Sequence, residues 1–121
     1  MRGLGELEAA VMNVLWDATE PIKVRDVLER LDTGKQLAYT TVMTVLDNLH
    51  RKGWAEREMH SRAYAYEAAF ARDEASARAL REVLDASGDP NAVLMRFVAS
   101  VSDEETELLR TALRKKRIRR R

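Results

Sequence analysis

The sequence predicts a mainly α-helical protein with one small β-hairpin near its middle. Up to about residue 52, apolar residues recur at intervals of three and four, the spacing of one helix face. After Gly53 the interval becomes two, the spacing of one strand face, and beyond Phe70 the helical interval returns. These observations predict three helices, then a hairpin, then three further helices.

The composition excludes several classes of protein. Of the 121 residues, 45% are hydrophobic and 34% are charged, with a formal net charge of +1. Because there are no cysteines and only two histidines, His50 and His60, we expect no disulfide, no metal site and no cofactor. The chain lacks an apolar run long enough to span a bilayer and lacks a signal-peptide core, so we expect a cytoplasmic protein without membrane insertion.

The first three helices are each predicted from one apolar stripe and its end signals. The first is expected from about Gly5 to Ala18, and the second from Val24 to Leu31. Between them "IKV" is long enough only for a very short strand or an extended link. The third helix follows Ala38 and stops at Gly53. Its predicted buried stripe consists of Val42, Val45, Leu46 and Leu49.

A two-stranded hairpin is predicted from "AEREM" and "AYAYEA", joined by "HSRA". The turn has no Gly or Asn at its tip, so its type stays open. Helices are then predicted in "RDEASARALREVLDAS", with Asp73 as a candidate cap, and in "NAVLMRFVASV". The last helix, "SDEETELLRTALRKK", opens with Ser102 and Glu105 at capping-box spacing.

The hairpin gives way to helices near Phe70, which predicts two domains, residues 1–71 and 72–121. The three helices of the second domain have wide apolar faces but too few residues for a self-sufficient core. Those faces must pack on the first domain or on another copy of the chain, and we favour another copy because the first domain is already complete. The expected dimer interface consists of Leu80, Val83, Leu84, Val93, Leu94, Phe97, Val98, Val101, Leu108, Leu109 and Leu113.

Three helices followed by a hairpin are typical of a winged helix-turn-helix domain, whose third helix enters the DNA major groove. The face opposite the apolar stripe carries hydroxyls, an amide and a thioether, which suit base edges and the thymine methyl. Arginines and lysines beside it suit phosphates. The candidate DNA-binding residues are Tyr39, Thr40, Thr41, Met43, Thr44 and Asn48 for the helix face, and Arg51, Lys52, Arg57, Arg62 and Lys35 for phosphates.

Alternative interpretations stay open for these features. Structurally, Thr40 could cap the helix, Thr41 and Thr44 could be ordinary surface residues, and Asn48 could be solvated. Functionally, the alternative is a protein-interaction module that never binds DNA. The run from Arg110 to Arg121 has eight Lys or Arg in twelve residues and no acid. It is either a solvated terminus or an arm that contacts an anion such as DNA. We expect no enzyme, because no catalytic grouping or phosphate-cradling loop is present and both histidines suit surface or phosphate-adjacent positions.

Four stretches carry a family resemblance: "LGELEAAVMNVLW", "PIKVRDVLERL", "AYTTVMTVLDNLHRKGW" and "REMHSRAYAYEA", of which the middle two are the most specific. With the C-terminal helices, they resemble the penicillinase-repressor family (the BlaI/MecI type) of winged-helix transcriptional repressors over nearly the whole chain. The resemblance implies a homodimer, joined by its C-terminal helices, that binds palindromic operators with TACA/TGTA-type half-sites and represses the downstream genes.

The resemblance also bears on individual positions. Thr41 and Thr44 fall where relatives have base-contacting residues. Arg62, Tyr64 and Tyr66 match the family's wing, which is the hairpin that follows the third helix. Thr40 and Met43 occupy positions that are often basic in staphylococcal members, and an Arg can occur at the position of Asn48. At these departures we expect the operator preference to differ from that of relatives.

Two regulatory branches are implied by the resemblance. Copper-responsive relatives carry cysteines near the C-terminus, and this chain has none. In the β-lactam-responsive branch, a membrane sensor protease triggers cleavage of an Asn–Phe bond within the dimerisation helices. The nearest match here is Arg96–Phe97. The implied partners are therefore operator DNA, a second copy of the chain and a membrane sensor protease.

Overall fold

The computed structural model describes residues 4–33 and 36–119. This part of the chain forms six helices and three strands: α1 (Glu6–Asp17), β1 (Ile22–Lys23), α2 (Val24–Arg30), α3 (Tyr39–Arg51), β2 (Ala55–His60), β3 (Ala63–Ala68), α4 (Arg72–Ala86), α5 (Pro90–Ser100) and α6 (Asp103–Arg119). The predicted order of elements is confirmed. The chain divides into two compact units, Met1–Leu80 and Arg81–Arg121, with the division inside α4. The division into domains near residue 71 stays a prediction.

The core of the first unit is built from one face of each of its first three helices and from the sheet. Its buried residues are Val11, Met12, Leu15, Ile22, Val24, Val27, Val42, Leu46, Leu49, Ala55 and Tyr66. The predicted stripe of α3 is confirmed, although Val45 is only partly buried. Each fully buried large apolar side chain stabilises the fold by about 1.5–3 kcal/mol. The inner face of α3 is therefore held firmly against the core.

The hairpin has a third strand beside it, which the sequence prediction left as either a short strand or an extended link. The sheet is antiparallel in the order β1-β3-β2. Ile22 pairs with Tyr66 in β3, and both side chains are buried. A two-stranded hairpin is only marginally stable in water. The pairing with β1 therefore anchors the β2–β3 hairpin to the helical core.

The tip of the hairpin is a two-residue loop, Ser61 and Arg62, between the paired residues His60 and Ala63. Ser61 has a φ of 59°, in the left-handed region that glycine or asparagine usually occupies in such loops. The sequence left the turn type open because Ser is an unusual residue at this position.

The end of α3 and the start of α4 test two of the predicted end signals. Gly53 has a φ of 84° and closes α3, as predicted, and the Trp54 N–H donates to the Leu49 carbonyl at 2.9 Å. The prediction of Asp73 as a cap is wrong, because α4 already begins at Arg72 and the Asp73 carboxylate accepts from the Glu74 N–H.

The capping box of α6 is confirmed. The Glu105 N–H donates to the Ser102 hydroxyl at 3.1 Å, and the Ser102 N–H donates to the Glu105 carboxylate at 2.9 Å. The bonds from the Ser102 backbone and hydroxyl hold the pKa of Glu105 below its ordinary value. The start of α6 is therefore well defined. The helix continues to Arg119, so the described part of the basic run is helical.

The described part of the second unit buries no side chain within a single chain. Leu94 is 49% exposed, Phe97 is 50% exposed and Leu108 is 69% exposed. Helices with such faces are unusual on the surface of an isolated soluble chain. In the described ranges, none of the helices has the length and apolar character needed to cross a membrane.

Candidate nucleic-acid interface

The outer face of α3 is the candidate surface for base contacts. Tyr39, Thr40, Thr41, Met43 and Thr44 are all exposed there. Asn48, one turn further along, is half-buried. The helix begins at Tyr39 with Ala38 as its N-cap, and no side chain caps it. The interpretation of Thr40 as the cap is therefore wrong. The first turn of α3 carries no acidic residue, so no side chain of that turn repels an anion at the positive end of the helix dipole.

The threonines on this face differ in hydrogen bonding. The Thr44 hydroxyl donates to the Thr40 carbonyl at 2.9 Å, which commits its proton to the helix itself. Thr44 can still accept a hydrogen bond and present its methyl group. In the described parts of the chain the Thr41 hydroxyl has no partner, so Thr41 can both donate and accept. Residue spacing alone does not reveal this difference, because it depends on the side-chain rotamer.

Asp47, the single acid of α3, engages two of the predicted phosphate contacts. Its Oδ1 accepts a hydrogen bond from Arg57 at 3.0 Å, and its Oδ2 forms an ion pair with Arg51 at 3.2 Å. Arg51 also donates to the side-chain oxygen of Asn48. Consequently both arginines have carboxylate partners before any DNA arrives.

Arg57 connects the wing to α3. Its side chain is 22% exposed, its Nη1 lies 3.4 Å from the Tyr66 hydroxyl, and its guanidinium lies 4.1 Å above the centre of the Tyr64 ring. The hydrogen bond to Tyr66, with that to Asp47, raises the pKa of Arg57 above its ordinary value. These contacts join α3, β2 and β3 through one side chain. Arg57 therefore sets the position of the wing beside the recognition helix, whether or not it also contacts phosphate.

Lys52 ties the end of α3 to the start of α1. Its Nζ donates to both carboxylate oxygens of Glu8, at 2.9 Å and 3.0 Å. The Gly5 N–H donates to the same carboxylate at 3.0 Å. The Gly5 N–H, followed by the Lys52 ammonium, holds the pKa of Glu8 below its ordinary value of 4.5. Lys52, a predicted phosphate contact, therefore already has a carboxylate partner within the chain.

Arg62 is the exception among the predicted cations. It is exposed at the tip of the wing and has no hydrogen-bond or ion-pair partner in the described ranges. The predicted contact Lys35 lies outside the described residues. The sequence prediction also missed Lys23, Arg25 and Arg30, which lie along α2 and at its start, are exposed and are equally unpaired among the described residues. The sequence could have indicated these residues, because α2 is the first helix of the helix-turn-helix, and in such motifs that helix crosses the DNA backbone.

The histidines offer no sign of a metal site. His50 is half-buried, and its Nδ1 is buried without a hydrogen-bond partner in the described structure. Its assignment as a surface or phosphate-adjacent group stays a prediction. His60 lies 3.7 Å from the Glu58 carboxylate, beside the hairpin turn. Among residues 4–33 and 36–119, there is no group of three His, Asp or Glu side chains arranged to hold a metal ion.

The first unit is a winged helix-turn-helix domain: α3 is its recognition helix, and the β2–β3 hairpin is its wing. Residues 4–115 match the family model of the penicillinase repressor. The chain therefore belongs to the penicillinase-repressor family. It is a transcriptional regulator, and the family consists of regulators and not enzymes.

Two curated relatives are similar over most of this chain. The transcriptional regulator BlaI of Mycobacterium tuberculosis is 43% identical over 113 residues, which cover 91% of this chain and 82% of the relative. The methicillin resistance regulatory protein MecI of Staphylococcus aureus is 22% identical over 117 residues, covering 93% of this chain and 94% of the relative. The resemblance predicted from the sequence is confirmed.

Solved structures with a similar fold are also transcription regulators. MepR, a transcription regulator of the Staphylococcus aureus multidrug efflux pump MepA, has a TM-score of 0.51 at 18% identity, covering 98% of this chain and 82% of that chain. A mutant of MepR bound to an oligodeoxyribonucleotide has the same TM-score, 0.51, and covers 98% of this chain and 80% of that chain. At this identity the likeness extends to the fold alone, and it supports the winged-helix architecture.

We expect Glu8→Gln to lower the free energy of unfolding by about 1 kcal/mol at neutral pH, because Lys52 loses its charged partner. The folded-state pKa of Glu8 is depressed, so its contribution is complete above pH 4.5 and is lost as the pH falls through the lower folded value. Wild type and variant should therefore converge in acid, as measured by chemical denaturation at a series of pH values.

The control is Glu6→Gln, which removes an exposed acid from the same helical turn that has no ion-pair partner in the described residues. It should change stability much less than Glu8→Gln. A Glu8→Gln deficit that stays constant from neutral to acid pH would contradict the ion pair.

Proposed function

We propose that the protein represses transcription by binding double-stranded operator DNA as a homodimer, with α3 in the major groove. The outer face of α3 is the observation that carries this proposal. Its threonines are exposed and Asn48 is half-buried. Val42, Leu46 and Leu49 on the opposite side are completely buried. The helix cannot rotate without exposing that core face. The outer face therefore stays presented to a partner in one orientation.

The chemistry of this face suits base edges better than a protein surface. Threonine offers a hydroxyl together with a methyl group for the thymine methyl, and asparagine can pair with adenine. The Asn48 oxygen accepts from Arg51, which leaves its amide N–H groups available to donate. Met43, at 42% exposure, adds an apolar contact beside Thr44. We propose half-sites of the TACA/TGTA type, arranged as a palindrome, in which these residues contact the bases.

The apolar surface of α4, α5 and α6 supports the homodimer. Seven of the predicted interface residues are at least 40% exposed in the single chain: Leu80, Val83, Leu94, Phe97, Val98, Leu108 and Leu113. The other four, Leu84, Val93, Val101 and Leu109, are half-buried. In the described residues, α5 and α6 bury no side chain and α4 buries only Ala75, so this much exposed apolar surface favours coverage by a second copy. Two joined winged-helix domains would bind a palindrome with avidity.

We propose that repression in the cytoplasm is relieved by proteolysis within the dimerisation helices in response to β-lactam or cell-wall stress, triggered by a membrane sensor protease. The name of the relative MecI, a methicillin resistance regulatory protein, supports this direction. The candidate bond Arg96–Phe97 lies within α5, in helical conformation. A protease needs an extended substrate, so α5 must unwind locally before it is cut.

Replacing both Thr41 and Thr44 by Ala should weaken binding to the operator while sparing binding to a scrambled duplex. Each good base contact is worth roughly 1–3 kcal/mol of discrimination, so the operator preference should fall by about tenfold or more. Fluorescence anisotropy with the two duplexes measures both affinities.

The contrasting variant is Arg62→Ala, which removes the unpaired cation at the wing tip. It should weaken operator and scrambled duplex alike and lower the salt slope by about one unit. An unchanged operator preference in the double threonine variant would overturn the role of this face. Absence of salt-dependent binding to any duplex would favour a protein-interaction module.

Phe97→Glu should convert the dimer to a monomer, because the charge would be buried in the interface. Loss of avidity should then weaken operator binding by about a hundredfold or more. Sedimentation velocity gives the mass, and anisotropy gives the affinity. The matched control is Ala99→Glu, which adds the same charge on the other side of α5 and should stay dimeric. A dimeric Phe97→Glu protein with wild-type affinity would contradict the proposed interface.

Cells exposed to a β-lactam should contain two fragments of the protein, one ending at Arg96 and one beginning at Phe97. Intact-mass spectrometry of the recovered protein identifies the ends. Phe97→Leu keeps an apolar side chain in the interface but alters the bond, and it should slow the cleavage. Loss of repression while the protein remains uncut would exclude this mode of relief.

A further inference from the structure

The two units of the chain carry opposite formal charges. Residues 1–80 contain 11 Lys or Arg and 13 Asp or Glu, a charge of −2, whereas residues 81–121 contain 10 and 7, a charge of +3. Proteins gain the sequence-independent part of their DNA affinity by neutralising phosphates with Lys and Arg, which releases counterions. A winged-helix unit with a charge of −2 is expected to gain little of this sequence-independent DNA affinity.

The internal ion pairs of the first unit further reduce the number of its cations that are free to neutralise phosphates. Arg51 and Arg57 are paired with Asp47, and Lys52 is paired with Glu8. A phosphate that recruits one of these cations must replace a carboxylate partner that is already in place. The electrostatic gain from each such pairing is therefore smaller than from an unpaired cation.

The carboxyl-terminal end of α6, in contrast, is rich in unpaired cations. Five of its six residues from 114 to 119 are cations, and all five are exposed without a hydrogen-bond or ion-pair partner in the described chain: Arg114, Lys115, Lys116, Arg117 and Arg119. The helix dipole favours cations only within the last turn, so it does not account for the beginning of this run. Uncompensated charge of this density is expected to bind a polyanion.

The distribution of the cations around α6 favours DNA over a membrane surface. At 100° per residue, the five side chains point to several sides of the helix. A helix that lies on a membrane needs an apolar face opposite its cations, and between residues 114 and 119 only Ile118 is apolar. Phosphates line both edges of a DNA groove and can meet cations on several sides of one helix.

We propose that the basic end of α6, residues 114–119, is a second DNA-contacting surface that binds phosphates without regard to sequence. It rests on the proposed function, since operator DNA is the polyanion that the proposed function supplies. In this arrangement the first unit selects the sequence, and the end of α6 adds to the attraction provided by the unpaired cations described in the first unit, Lys23, Arg25, Arg30 and Arg62. A dimer would carry two such segments.

The test replaces all five cations by glutamine in the full chain: Arg114→Gln, Lys115→Gln, Lys116→Gln, Arg117→Gln and Arg119→Gln. Glutamine keeps the helix propensity, and sedimentation velocity checks that the dimer is intact. Binding to a duplex with the operator inside long random flanks is measured over a series of salt concentrations. The slope of log Kd against log salt should fall by about 0.9 for each phosphate that the variant no longer neutralises. At low salt the Kd should rise about tenfold or more, equally for operator and random duplexes.

The matched control retains the charge through Arg114→Lys, Arg117→Lys and Arg119→Lys, and it should keep the wild-type slope. An unchanged slope in the glutamine variant would overturn the proposal, as would an equal decrease in the lysine variant. Binding of the wild type to phosphatidylserine vesicles, together with an unchanged DNA slope, would assign the segment to membranes instead. If wild type prefers the operator but the glutamine variant keeps its slope, only this inference fails. If wild type binds no duplex, the proposed function fails as well.

Discussion

The burial of the inner face of α3 is the constraint on which the rest of the first unit depends. Val42, Leu46 and Leu49 have no exposed surface, and they pack in one core with residues of α1, α2 and the sheet. Turning the helix would expose all three side chains at a cost of several kcal/mol, at about 1.5–3 kcal/mol each. The polar outer face is therefore presented in one orientation, which base contacts require.

The ion pairs around α3 link this orientation to the wing. Asp47 holds Arg57, and Arg57 in turn contacts both hairpin tyrosines, so the position of the wing follows from that of the recognition helix. The same pairs reduce the free positive charge of the first unit. The positions of α3 and the wing are thus well defined in the first unit. A dense run of uncompensated cations lies at the end of α6 instead.

Local patterns in the sequence were sufficient for much of the fold and for the exposure of most of the candidate residues on the outer face of α3. The stripe of α3, its stop at Gly53 and the capping box at Ser102 depend on neighbours within a few residues, so they were predictable. The third strand was not, because Ile22 and Tyr66 are far apart in the chain and meet only when the sheet forms. The partners of Lys52 and Arg57 were missed for the same reason.

The sequence by itself determined the class of this protein: helical periodicity, the hairpin and the penicillinase-repressor motifs all lie in short contiguous stretches. Tertiary structure alone decided which polar groups are available to a partner. The Thr41 hydroxyl is without a partner in the described structure, the Thr44 hydroxyl is bonded to its own helix, and Arg62 is the unpaired cation among the described candidates. The physical reason is that availability depends on rotamers and on contacts between residues distant in the chain, and residue spacing encodes neither.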